Sequence, residues 1–265
     1  MAERRGPRQP LSQRRPAKAA AKKGATAGAG QPPVRTPAAK SPPKPAARRA
    51  KWTAPTADAA TSLFDRLQAI HPDAHCELDH RDAFELLVAT ILSAQCTDKR
   101  VNMTTPELFR RWPDASALAA AKQEEVEDVI KSTGFFRAKA KNIITMAGAL
   151  VERHGGEVPC SMDDLVKLPG VGRKTANVVL GNAFGVNEGI VVDTHVGRLA
   201  VRLGLTRETD PVKVEEALVP LFPRERWAML SHVLIFHGRR ICDAKRPRCG
   251  ECGVRELCPS RIDTL

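Results

Sequence analysis

The sequence predicts an all-α protein of short helices behind a disordered basic tail. Three observations predict it. Apolar residues recur at helical spacing from Leu63 onward, no segment alternates apolar and polar residues as a half-buried strand does, and Gly or Pro separates the helical runs. Residues 1–57 are a low-complexity mixture of Ala, Pro, Lys, Arg and Gly with almost nothing to bury, and are expected to be disordered. Folding is expected to begin near Asp58, where Leu63, Phe64, Leu67 and Ile70 mark the first helix and His71-Pro72 ends it. Asp82 is an N-cap candidate for a second helix that is apolar on nearly all sides, carrying Phe84, Leu86, Leu87, Val88, Ile91 and Leu92, and should be central. The patterning places further helices at 98–111, 114–132, 136–153, 161–167, 173–184, 193–203, 210–221 and 225–240.

The net charge of +12 is unevenly distributed. Residues 1–51 carry 14 of the 42 Lys and Arg and one of the 30 acidic residues, a net +13, which leaves −1 for the rest. Any nucleic-acid surface on the folded part must therefore come from local clustering and backbone amides. Seven cysteines, an odd number, without an apolar leader argue against a secreted disulfide framework, and no apolar run approaches membrane-spanning length. A cytoplasmic protein is expected; Pro32-Pro33 and Pro42-Pro43 spoil the amphipathic helix of an organelle transit peptide.

The stretch around which the chain is organised runs from Leu168 to Arg198. Gly170-Val171-Gly172 permits a tight, partly left-handed turn, Pro169 stops any preceding helix, and Thr175 to Leu180 supplies a helical run whose unpaired N–H groups face the turn. Such a helix start binds phosphate. Lys174 follows beside Arg173, where the helix dipole and a like charge disfavour the ammonium and so favour a nucleophilic amine. Nineteen residues later comes Asp193, before Thr194-His195. Taken singly, Lys174 also fits an exposed helix lysine, and Asp193 a helix N-cap.

Cys242, Cys249, Cys252 and Cys258 have the spacing C-x6-C-x2-C-x5-C. Four thiolates suit a 4Fe-4S cluster; a structural zinc usually takes two short-spaced pairs, and only Cys249/Cys252 is one. Arg239, Arg240, Lys245, Arg246 and Arg248 surround Cys242 and Cys249, so a loop wrapped on a cluster would point cations outward toward phosphates, or simply solvate its own surface. Cys76, Cys96 and Cys160 are scattered and default to free buried thiols.

Hairpin, lysine, aspartate and cysteine loop, in this order, make the chain resemble the endonuclease III family, the bacterial DNA glycosylases with abasic-site lyase activity. The resemblance covers about residues 58–260. It implies two helical lobes with DNA in the cleft between them: a six-helix lobe with the helix-hairpin-helix over residues 76–188, and a 4Fe-4S cluster lobe from residues 58–75 and 189–265. It implies a monomer acting on double-stranded DNA that contains damaged bases or abasic sites. Oxidised pyrimidines would be removed through a Schiff base on Lys174, supported by Asp193, with β-elimination cutting 3′ to the lesion. Gly170, Val171, Gly172 and Arg173 would hold the backbone. The polar break Leu92-Ser93-Ala94-Gln95-Cys96-Thr97-Asp98 also fits a plain C-cap and turn; in the family a glutamine here enters the helix, which gives Gln95 that role. At Gly134-Phe135-Phe136 the family often has an aliphatic wedge, here replaced by Phe135, which core packing would explain equally. Related adenine glycosylases carry a glutamate on the second helix and lack the lysine; here Ala89 stands in the glutamate's place and Lys174 is present.

Overall fold

A computed structural model describes residues 52–262. The expected disorder of the tail therefore falls, for nearly all of its length, outside the described residues. Among those residues all regular structure is helical, in eleven α-helices and five short 3-10 turns. They are α1 (Ala57–Ile70), α2 (Ala83–Leu92), α3 (Asp98–Arg111), α4 (Ala115–Ala119), α5 (Gln123–Ile130), α6 (Phe136–His154), α7 (Met162–Leu165), α8 (Arg173–Ala183), α9 (Thr194–Arg202), α10 (Pro211–Leu218) and α11 (Trp227–Arg240). No described helix is long and apolar enough to cross a membrane.

The starts of the helices follow from side chains that satisfy orphan N–H groups. Thr56, Asp82, Thr97, Asp114, Ser161, Asp193 and Asp210 each cap one. At α2, Asp82 accepts from the Glu85 N–H at 2.9 Å, and the Glu85 carboxylate reaches back one residue beyond the cap to accept from the Arg81 N–H at 2.7 Å.

Three expected helices differ. The run expected over 114–132 breaks into α4 and α5, because a continuous helix would set Lys122 on the same stripe as Leu118, Val126 and Ile130, all of which are buried. The break leaves Lys122 exposed. Expected helix 210–221 stays α-helical only to Leu218 and tightens into a 3-10 turn over Val219–Leu221, since Pro220 has no N–H to give. The last helix begins at Trp227, after a 3-10 turn over Arg224–Arg226.

Two apolar clusters fill the interior. One joins α2 through α8, from Leu78 to Leu180, and α2 lies at its centre with Leu86, Leu87, Val88, Ala89 and Leu92 fully buried. The other gathers residues from both ends of the described chain: Leu63, Phe64 and Leu67 of α1 meet Val196 and Leu199 of α9, Leu230 and Leu234 of α11, and Val254 of the cysteine loop. Helices α8 and α11 bring the clusters together, and the approach is close: a Cβ on Gly181 would lie 3.0 Å from the Ala228 Cβ.

Candidate active site and DNA-facing surface

The turn before α8 is built as its sequence requires. Leu168 O accepts the Val171 N–H at 3.1 Å, Val171 is buried, and Gly170 has φ +78°, a conformation costly for a residue with a Cβ. A Cβ there would also press on the Asn142 side chain of α6 at 3.1 Å. Gly172 caps α8 without a side-chain hydrogen bond, so the first amides of α8 have no partner from the cap and stand at an exposed surface. Arg173 pairs with Glu215 at 2.9 Å and donates to the Glu188 carbonyl at 3.2 Å, so its charge is already engaged.

Lys174 is exposed, and it lines a cavity of about 380 Å³ together with Asp193. Helix α2 and the turn after it contribute Thr90, Ser93 and Gln95, and α11 contributes Ser231, His232 and Arg239. Asp193 is also the N-cap of α9: its Oδ1 accepts from the His195 and Val196 N–H groups, both at 2.8 Å. The N-cap reading of Asp193 therefore holds, and the cap uses one oxygen and fixes the carboxylate at the cavity wall. Nearby Asp98 is raised above the usual carboxylate range, first by burial and then by the charge of Asp193.

Among the described residues, only Gln95 (φ 53°) and Phe135 (φ 47°) are non-glycine residues with positive φ. For a bulky residue this is a strained conformation, of the kind that persists where the surroundings hold it for use. Phe135 is 69% exposed, so core packing does not account for it; Phe136 is the ring that packs on the interior. Gln95 is exposed at the mouth of the cavity.

The basic residues near the cysteines do not behave as a uniform outward fringe. Arg239 and Arg240 belong to α11, where Arg239 pairs with Glu77 and with Asp98 at 2.8 Å, and Arg240 pairs with Asp73 at 2.7 Å while stacking on Phe236. Arg248 meets Glu251 at 3.2 Å. Of the five, only Lys245 and Arg246 are exposed without an ion pair among the described residues. The acidic partners of Arg239 and Arg240 come from distant sequence, which a run of charges does not reveal.

Cys242, Cys249, Cys252 and Cys258 line a second cavity of about 140 Å³, and none is in a disulfide. No three described His, Cys, Asp or Glu side chains converge as around a single ion. Burial, and then the charges of the neighbouring thiolates, push Cys252 and Cys258 up, so four thiolates would be held together there only against a cationic centre. That donor set fits an iron-sulfur cluster. Its surroundings are ordered by side chains the sequence did not single out. Arg202 of α9 donates to the carbonyls of Asp243 and Ala244, both at 2.7 Å, and to the Cys242 sulfur at 3.3 Å. His237 lies between His71, at 3.0 Å, and the Cys252 sulfur, at 3.6 Å. Of the scattered cysteines, Cys76 and Cys96 are half-buried and Cys160 is exposed, contrary to the expectation of a buried thiol.

An all-helical fold with a glycine turn at a helix start, and a lysine and a carboxylate sharing the cavity behind it, defines a helix-hairpin-helix DNA-repair protein. Residues 88–224 match the family described as HhH-GPD superfamily base excision DNA repair protein. The chain is 54% identical to endonuclease III of Synechocystis sp. over 201 residues, which is 76% of this chain and 92% of the relative. It superposes on a solved non-covalent endonuclease III–DNA complex with a TM-score of 0.74 at 45% identity, covering 78% of this chain and 96% of that one. A trapped endonuclease III–DNA covalent intermediate matches with the same TM-score and identity, over 78% and 97% of the two chains. The chain belongs to the endonuclease III family.

Proposed function

We propose that this chain removes oxidised pyrimidines from duplex DNA through a Schiff base on Lys174 and then cuts the strand 3′ to the lesion. The observation that carries the assignment is that Lys174 and Asp193, nineteen residues apart in sequence, line the same cavity directly behind the glycine turn. Covalent capture of an endonuclease III on DNA supports an amine nucleophile of this kind.

Chemistry at C1′ requires the nucleotide to leave the stack. The amides at the start of α8 would hold a phosphate on one side of the lesion, while Gln95 and Phe135 fill the space left behind. The Lys174 amine attacks C1′ as the bond to the base nitrogen breaks, and the departing base takes the electron pair. Asp193 accepts the proton lost by the amine and offsets the positive charge that grows on the sugar. Opening of the sugar ring gives the Schiff base; loss of a C2′ proton then expels the 3′ phosphate from C3′, and water releases the lysine. Cys242, Cys249, Cys252 and Cys258 would hold a 4Fe-4S cluster, which when bound draws four thiolates to one centre and ties the loop to α9 and α11. Lys245 and Arg246 on that loop remain available for phosphates.

Borohydride reduction during reaction with an abasic duplex tests the assignment. Wild-type protein should form a covalent complex mapped to Lys174, and Lys174→Ala should abolish both trapping and strand cleavage while retaining binding. A variant that cross-links at the wild-type rate would place the nucleophile elsewhere.

A further inference from the structure

Lys139, on the first turns of α6, is a buried cation that the chemistry above does not use. It is 4% exposed, and among the described residues no other lysine or arginine is buried. An ammonium withdrawn from water loses its hydration, so an interior lysine normally meets a carboxylate. The partners of Lys139 are two main-chain carbonyls instead: its Nζ donates to Leu92 O at 2.9 Å and to Thr133 O at 2.8 Å. A side chain that only filled this space would be apolar, as Ala140 and Ile143 beside it on α6 are. What lysine adds is three donors on one atom at the end of a long stem, which can join two distant segments.

Both carbonyls end a helical segment just before a strained residue. Leu92 is the last residue of α2, and the Cys96 N–H, four residues on, passes it over to bond the Ser93 carbonyl at 3.0 Å, closing a turn that contains Gln95. Thr133 ends the 3-10 turn Lys131–Thr133, and Gly134 and Phe135 follow it. A cation is favoured at such carbonyl ends. Gln95 and Phe135 are the two non-glycine residues held at positive φ, forty positions apart, and one ammonium anchors the turns of both. Lys139 also grips the second turn from its far side, since its own N–H donates to the Phe135 carbonyl at 3.1 Å. Behind Thr133 the chain is fixed as well: the Thr133 hydroxyl donates to Ile130 O at 2.8 Å, and the Ser132 and Thr104 hydroxyls meet at 3.1 Å.

We infer that Lys139 is a positioning residue that holds Gln95 and Phe135 as one unit, so that the two side chains enter damaged duplex together. The inference rests on the reading above in which Gln95 and Phe135 fill the space left by an extruded nucleotide. A side chain ordered only on binding subtracts from affinity. Tying both turns to one buried donor completes that ordering in the free protein, and insertion of one side chain then presents the other.

The test uses the full-length protein and reads the ratio of its affinities for duplex carrying a tetrahydrofuran abasic-site analogue and for undamaged duplex. The analogue has no aldehyde or leaving group at C1′, so the ratio reports binding alone. Lys139→Met keeps the stem and removes the donors. It should lower the ratio about tenfold, the scale of two side chains left to be ordered on binding. In a Gln95→Gly/Phe135→Gly background the same substitution should leave the ratio unchanged, because no side chain remains to be positioned. A lysine that merely supports the fold would lower the ratio equally in both backgrounds or in neither, and either result would overturn the inference.

If Lys139→Met does not fold, coupling between the two turns decides. With Lys139 in place, the double glycine variant should lose less of the ratio than the product of the losses in Gln95→Gly and Phe135→Gly, as two side chains acting as one require. Losses that simply multiply would overturn the inference. If neither glycine substitution lowers the ratio, the insertion reading falls and the inference with it. Wild-type cleavage of an abasic duplex reports on the catalytic reading separately, so the failure of one is distinguished from the failure of the other.

Discussion

Asp193 caps α9 from the wall of the proposed catalytic cavity, and the cap and the proposed chemistry can be separated by substitution. Its cap on α9 runs through Oδ1, which an asparagine would retain, whereas the negative charge at the cavity would vanish. Asp193→Asn should therefore leave the melting temperature nearly unchanged and lower single-turnover cleavage on the order of a hundredfold, the lower range for general acid–base groups. Asp193→Ala should lose the same chemistry and about 1 kcal/mol of stability in addition. Wild-type single-turnover rates in the asparagine variant would reduce Asp193 to a cap. Phe135 makes the opposite case, a residue held against its own preference. Phe135→Gly relieves the left-handed backbone and removes the ring, so thermal stability should hold or rise by about 1 kcal/mol while affinity for lesion-containing duplex falls. A drop in stability with unaltered affinity would make the ring a packing element. The glycine turn before Lys174 and the helix cap at Asp193 were legible in the sequence because both are local signals. The ordering of the cysteine loop by Arg202 was not, because its partners lie some forty residues away.

Among the elements, the helix starts were readable and the helix ends less so. Asp82 and Asp193 cap where they were expected to, since an N-cap is written in one side chain and the three residues after it. The split of α4 from α5 depends instead on which face the folded core will bury, and local patterning does not carry that information. The turn before α8 lies at the legible end. Gly170→Ala forces a Cβ into a left-handed backbone and onto Asn142, and should cost roughly 1–2 kcal/mol while weakening binding to damaged and undamaged duplex alike. A variant that loses affinity only for damaged DNA would show that the turn does more than hold phosphate. The cysteine loop has almost no regular structure of its own beyond two 3-10 turns, so its shape depends on what it encloses and on the Arg202 clamp. Purified protein should hold about four irons per chain and absorb in the blue, as four-thiolate ligation implies. One zinc and no iron would refute that assignment.

At the scale of the whole molecule, charge and chemistry are separated along the chain. Residues 1–51 carry +13 and the remaining residues −1, and the pairing of Arg173, Arg239, Arg240 and Arg248 with acids removes still more free cation from the folded part. Trp52, the first described residue, is tied down: its indole N–H donates to the Gly204 carbonyl at 3.4 Å and Arg207 stacks on its ring. Gly204 in turn abuts Pro259, next to Cys258, so Trp52 is anchored beside the end of the cysteine loop. Sequence-independent affinity for DNA should then come largely from residues 1–51, because each phosphate neutralised releases counterions regardless of the base sequence. Deleting residues 1–51 should weaken binding to undamaged duplex and flatten the dependence of log affinity on log salt by roughly 0.9 for each phosphate that the shortened protein no longer neutralises. Single-turnover cleavage at saturating protein should not change, since Lys174, Asp193 and the glycine turn all remain. Multiple turnover at low salt should quicken if release of the nicked product limits the full-length protein. Identical salt slopes for the two proteins would show that the positive segment neutralises no phosphates, and would return the burden of DNA affinity to the α8 amides and the two unpaired cations of the cysteine loop.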